Sequence, residues 1–221
     1  MSGRHSLKDY RKKRDFRKTP EPSGKKRPKG KKPIFVIQKH DASALHYDFR
    51  IEVGDALKSW AVPKGPSTDP ADKRLAVPTE DHPVGYADFE GVIPEGEYGA
   101  GTVMVWDTGT YENIKEKDGK PVPMEKCVKD GHVTIRLEGG KLRGGYALIR
   151  TGKGESARWL LIKMDDDEAD ARRNPVSTQS KSALTGRTMK QIEKQGREAK
   201  SKQNGKKRKG REKKKGKKGR K

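Results

Sequence analysis

Residues 45–52, Leu-His-Tyr-Asp-Phe-Arg-Ile-Glu, alternate without a break. A strand here sends Leu45, Tyr47, Phe49 and Ile51 to one face and His46, Asp48, Arg50 and Glu52 to the other. Comparable short apolar or alternating runs recur from Ile34 to Met164, and they predict strands over 34–39, 45–53, 57–62, 75–77, 102–106, 132–137, 146–151 and 159–164. The separators, among them Gly54-Asp55, Gly96 to Gly101, Asp118-Gly119, Gly139-Gly140 and Gly144-Gly145, are turn residues. About eight strands with no long helix between them predict an all-β barrel or sandwich. Farther on, polar Thr188 precedes a run of good helix formers and predicts a capped short helix over 189–200.

Apolar residues make up 29% of the 221, well below the globular norm, so part of the chain is predicted to lie outside any core. Charge locates that part. Residues 1–33 carry 14 Lys and Arg against 3 Asp and Glu, residues 201–221 carry 13 against 1, and the stretch between them is almost neutral. The expected organisation is a basic N-terminal arm over 1–33 and a β-barrel over 34–164. An acidic patch, linker and short helix over 165–200 follow, and then a disordered Lys/Arg/Gly tail over 201–221. Arg14-Asp15-Phe16 and Thr19 to Pro22 are not low complexity and are expected to dock on the barrel. Two cationic arms flanking a neutral body fit a polyanion, with nucleic acid the expected partner. They show no apolar face for lipid, no run approaches the ~18 apolar residues of a spanning helix, and no signal peptide is visible; a cytoplasmic, nucleoid-associated protein is expected. The single Cys127 excludes an internal disulfide and reads as an ordinary buried thiol.

Candidate chemistry concentrates around one hairpin. If residues 34–40 pair with the strand that begins at Leu45, His40 faces His46 across the pair, and Asp48 follows on the same face. A lone histidine is ordinarily a surface or hydrogen-bonded imidazole, but two of them and an aspartate sharing parity favour one divalent cation with positions left open. Imidazole and carboxylate donors suit Mn, Zn, Fe or Ni, and spacing does not choose among these. Arg50 continues the face and fits a phosphate oxygen; its alternative is an ion pair with Glu52 or another strand's carboxylate. His82, in Glu80-Asp81-His82-Pro83, either donates a proton or offsets charge at a phosphate, or is a satisfied loop histidine. Lys64 and Arg74 either extend a phosphate-binding surface or are solvated. Gly96 to Gly101 leads into a strand rather than a helix, so it reads as a tight turn and not a phosphate cradle.

Four stretches carry a family resemblance. Phe35 to Arg50 (FVIQKHDASALHYDFR), Ser59 to Pro66 (SWAVPKGP), and Glu80 to Pro83 with Glu90 to Gly99 (EGVIPEGEYG) closely resemble the 3′-phosphoesterase domain of bacterial DNA ligase D. The likeness runs from about residue 7 to residue 164, and residues 182–188 resemble that protein's connector to its ligase module. It implies a small antiparallel barrel whose concave side holds the site of a manganese-dependent enzyme that heals 3′ ends in DNA repair by non-homologous end joining. Such an enzyme removes a 3′-terminal ribonucleoside from a DNA primer-template, then hydrolyses the remaining 3′-phosphate. Carried over, His40, His46 and Asp48 hold the metal and Arg50 and His82 engage the phosphate. Arg14, Asp15, Glu21, Lys64, Arg74 and Tyr86 support substrate or site. No Lys-x-Asp-Gly motif for nucleotidyl transfer is present, so a freestanding enzyme acting beside a separate ligase is expected. The competing expectation is a non-catalytic DNA-binding scaffold for a repair ligase.

Overall fold

Each of the eight runs that read as strands is a strand, and together they close a single antiparallel barrel. The structure is a computed structural model that describes residues 7–24, 32–152, 154, 157–199 and 201. Its strands are β1 (Ile34–Asp41), β2 (Leu45–Val53), β3 (Ala56–Val62), β4 (Lys73–Pro78), β5 (His82–Pro83), β6 (Gly91–Ile93), β7 (Gly101–Asn113), β8 (Glu116–Lys117), β9 (Lys120–Pro121), β10 (His132–Gly139), β11 (Arg143–Thr151) and β12 (Arg158–Lys163). The barrel order is β1-β2-β3-β4-β12-β11-β10-β7, and β7 pairs back onto β1. Closure leaves none of the eight with a free edge. The short β5 and β6 pair only with β3 and β7, on the wall near β1 and β2.

The alternation on β1 and β2 produces two apolar layers rather than one. Phe35, Ile37, Tyr47, Phe49 and Ile51 join Trp60, Ile135, Tyr146 and Leu161 in the barrel interior. Val36, of opposite parity, joins Leu57, Val103 and Val105 in a second cluster with Tyr10, Tyr86, Phe89 and Ile93. The outer wall is therefore itself covered, by the N-terminal segment 7–24 and by residues 84–93. His40, His46, Asp48 and Arg50 share the parity of Val36. They lie on this covered outer wall, which corrects the expectation that the barrel's concave side holds them. The interior is filled by the barrel's own side chains, for which eight strands leave just enough width.

β7 runs to Asn113, well past the expected end at Trp106, through polar residues that periodicity discounts. A bulge opposite Ile37 and Gln38 turns both Trp106 and Asp107 inward. Fully buried Asp107 accepts hydrogen bonds from the Lys141 and Leu142 amides at 3.0 and 2.9 Å, so its carboxylate organises the turn between β10 and β11. Burial nevertheless pushes its pKa above the ordinary value. At the start of β7, Gly101 (φ 144°) passes so close to β1 that a Cβ would overlap the Asp41 carbonyl oxygen.

Short helices span Lys8–Lys12, Met124–Asp130 and Pro175–Thr178, and residues 189–199 are helical. Thr188 begins that last helix with a reciprocal cap: its amide donates to Gln191 Oε1 at 2.8 Å, and its Oγ1 accepts from the Gln191 amide at 3.4 Å. Residues 174–192, which composition reads as linker and helix, are strapped to the barrel. Trp106 Nε1 donates to the Gln179 carbonyl at 2.7 Å, the Ala183 amide donates to Val105 at 2.9 Å, and Ile192 is buried with the core. Cys127 is a free, buried thiol. The tail over 202–221, and most of the Gly/Lys stretch after Gly24, lie outside the described residues. Among the described residues, no helix is long and apolar enough to cross a membrane.

Candidate functional site

The β1–β2 register sets His40 directly opposite His46, with ring centroids 4.8 Å apart. Asp48 follows His46 on the same face, and one ligand atom from each of the three lies within 4.8 Å of the others. Backbone carbonyls determine which nitrogens face inward. His40 Nε2 donates to the Gly99 carbonyl at 3.0 Å and His46 Nδ1 donates to the Ala44 carbonyl at 2.9 Å, because a carbonyl only accepts. That leaves the lone pairs of His40 Nδ1 and His46 Nε2 directed at Asp48 Oδ2, 3.6 and 3.8 Å away. These distances are too long for good hydrogen bonds. Two ligands about 2.1 Å from one metal sit about 3–3.6 Å apart, so the three donors stand slightly wider than a bound ion would hold them and would draw together around it. The residues thus fit a divalent cation of borderline character, with both imidazoles already in the required tautomer.

Arg50 does pair with a carboxylate, but with neither Glu52 nor one from another strand: its partner is Asp48 on its own strand, with Nη2 3.0 Å from Oδ2, while Glu52 accepts from the Ile34 amide. Burial pushes the Asp48 carboxyl pKa up, but opposing interactions led by the Arg50 guanidinium hold the group well below the usual carboxylate range. Gln38, fully buried and outward-facing on β1, fixes the guanidinium. Its Oε1 accepts from Arg50 Nε at 2.8 Å, and its Nε2 donates to the Tyr86 and Phe89 carbonyls at 3.1 and 2.9 Å.

His82 is wedged between two guanidinium groups. Its Nδ1 lies 2.8 Å from both Arg50 Nη1 and the Glu80 carbonyl, and its Nε2 lies 3.3 Å from Arg14 Nη2. Either neutral tautomer sets one ring N–H against one guanidinium, and protonation would set both. Accordingly burial, then the charges of Arg50 and Arg14, hold the His82 pKa well below its ordinary value.

Arg14 is carried in by the N-terminal segment, whose buried Tyr10 packs in the outer apolar cluster and closes the segment on itself with a 2.6 Å hydrogen bond to the Pro22 carbonyl. Its guanidinium pairs with Glu21 at 2.8 Å and Glu80 at 3.1 Å. Glu21 also accepts from Thr19 at 2.7 Å and from Tyr86 at 3.1 Å, which ties the arm to the wall. Arg14, His40, His46, Asp48, Arg50, His82 and Tyr86 line one pocket of about 290 Å³. Three residues expected beside them are not there. Asp15 faces outward and pairs with Arg17 at 2.9 Å. Lys64 is exposed in the turn after β3. Arg74 pairs with Asp72 at 2.6 Å and shares the inward parity of Ala76. A larger cleft of about 630 Å³, bounded by Arg136, Glu138, Arg143 and Asp166, contains none of the histidines.

Sequence reasoning missed Gln38, Glu80, Tyr98 and the Gly99 carbonyl. Gln38 shares the parity of His40, and Glu80 lies in the quoted His82 motif, so both left a signal. Tyr98 and Gly99 reach the pocket through the turn before β7, whose position depends on the pairing of β6 with β7.

A family model described as the DNA ligase D 3′-phosphoesterase domain matches residues 38–150. The chain is 49% identical over 194 residues to the multifunctional non-homologous end joining protein LigD of Pseudomonas aeruginosa, an alignment covering 86% of this chain and 22% of that protein. It is 45% identical over 163 residues to the LigD repair protein of Mycobacterium tuberculosis (73% and 20% coverage). With that of Mycolicibacterium smegmatis it is 48% identical over 166 residues (73% and 21%). The chain therefore spans about a fifth of the length of these relatives. Matched over half its length by the family model, it belongs to the DNA ligase D 3′-phosphoesterase domain family.

Proposed function

We propose that this chain is a manganese-dependent DNA 3′-end phosphoesterase of non-homologous end joining. On a primer ending in a ribonucleoside, water attacks phosphorus and the bond to the terminal 5′-oxygen breaks, which leaves a 3′-phosphate. A second hydrolysis breaks the bond to the 3′-oxygen and releases inorganic phosphate. The observation that carries this reading is the convergence of His40 Nδ1, His46 Nε2 and Asp48 Oδ2 in a pocket that also presents Arg50 and Arg14.

A divalent cation held by those three residues supplies Lewis acidity toward a phosphoryl oxygen. Arg50, restrained by Gln38 and Asp48, presents its guanidinium edge to the non-bridging oxygens, where a planar fork matches a phosphate. Arg14 approaches from the opposite side of His82 and offsets charge developing in an in-line displacement. His82, held neutral, bridges the two guanidinium groups, and a bound phosphate relieves the opposition of N–H groups around its ring. The basic stretches over 1–33 and 201–221 add sequence-blind DNA affinity.

The test is a labelled primer-template ending in one ribonucleotide, incubated with and without Mn²⁺. Stepwise conversion to a 3′-phosphate and then a 3′-hydroxyl, lost in His46→Ala and Asp48→Ala, is expected. No conversion under either condition leaves a DNA-binding scaffold as the better description.

A further inference from the structure

We infer that Tyr98 is the platform on which the terminal ribonucleoside's base stacks, and that it sets the preference for a nucleoside-bearing end over a bare 3′-phosphate. The inference deepens the phosphoesterase reading and rests on it. Tyr98 and Tyr86 are the aromatic residues lining the pocket; Tyr86 is buried to 2% exposure, whereas Tyr98 is 48% exposed. An aromatic ring left in solvent at the mouth of a pocket that presents two guanidinium groups is a feature that unpaired bases use, because every base offers a π-face.

The ring is also held in place. Its hydroxyl lies 3.2 Å from Lys13 Nζ and 3.3 Å from Glu80 Oε2, and Lys13 Nζ sits 4.5 Å from its centroid, with Arg14 Cζ at 5.4 Å. Glu80 is the carboxylate that grips Arg14, and the next residue, Gly99, is the one whose carbonyl orients His40. The platform is thus tied to both the phosphate-binding wall and the metal-ligand wall. A nucleoside linked through its 5′-oxygen to a phosphate at Arg50 extends toward the pocket mouth. A 3′-phosphate end has no group to place there.

Two measurements test this on the full chain. The first is the ratio of kcat/KM for a ribonucleoside-ended primer to that for a 3′-phosphate primer, in wild type, Tyr98→Leu and Tyr98→Phe. The ratio should fall about tenfold in Y98L, chiefly through KM, and by much less in Y98F, which keeps the ring but loses the hydroxyl's contacts. The second uses a primer ending in 2-aminopurine ribonucleoside, bound to protein without added metal so that no turnover is needed. Its fluorescence should be quenched by wild type and Y98F and not by Y98L. An unchanged ratio in Y98L, an equal loss in Y98F, or quenching that persists in Y98L overturns the inference. If wild type turns over neither primer, it is the phosphoesterase reading that fails, and the quenching experiment still judges Tyr98.

Discussion

His40 and His46 face each other across the β1–β2 pair, and each gives one ring N–H to a backbone carbonyl, that of Gly99 and that of Ala44. The inward lone pairs are therefore set before any ion binds. The cost of orienting the ligands is met by the fold.

Removing a ligand should abolish binding as well as turnover. Loss of an outer partner that orients a metal ligand costs about 10–100-fold in affinity, so loss of a ligand itself should cost more. His46→Ala and Asp48→Ala are expected to bind Mn²⁺ at least about a hundredfold more weakly in calorimetric titration. Wild-type affinity in either variant would remove the three-residue centre.

Gln38→Leu leaves Arg50 Nε buried without its acceptor, which costs about 1–3 kcal/mol. Urea denaturation should show that loss. Turnover should fall further than stability accounts for, because the guanidinium is no longer held against Asp48. A variant equal to wild type in both would show that Arg50 is oriented by Asp48 alone.

The depressed pKa of His82 makes stability pH-dependent in a definite direction. Above about pH 6.5 the imidazole is neutral in both folded and unfolded chains; below that the unfolded chain takes up a proton that the folded chain refuses, so stability falls as pH drops toward the folded pKa. The decline in Tm below about pH 6.5 should be shallower in His82→Asn. An equally steep decline in that variant would assign the proton uptake to another group.

Ile192 is buried beyond the matched residues 38–150, as part of the same apolar cluster that fills the barrel interior. Ile192→Ala should destabilise the chain by about 2–5 kcal/mol in chemical denaturation, and ending the chain at residue 173 should cost more. A change under about 0.5 kcal/mol in I192A would mean that the strap packs loosely.

Truncation after Lys200 removes 13 Lys and Arg and one Glu. DNA affinity should weaken and its dependence on salt flatten, with kcat on saturating short primers retained. A salt slope equal to that of the full chain would place DNA binding elsewhere.

Local patterning reached far into this fold because a strand's two faces follow from parity. Leu45 to Val53 reads as one strand with apolar and polar faces, and β2 has those bounds. It erred where a polar residue has a buried role: Asp107 looks like the end of a strand but serves as an acceptor for two amides. It also misjudged neighbourhood. Arg74 and Lys64 are close in sequence to His82, yet the structure places them away from the pocket, while Arg14 arrives from a segment some seventy residues distant.

The amino-acid sequence by itself determined eight strands, a basic chain with a nearly neutral middle, and a face shared by His40, His46, Asp48 and Arg50, because side-chain period and charge are local properties. Only the tertiary structure decided that this face is the barrel's outer wall and that Arg14 closes against His82. It also decided that Gln38, Gly99 and Tyr98 complete the pocket. Those relationships depend on which segments pack together once the interior is full, and no short-range pattern encodes them.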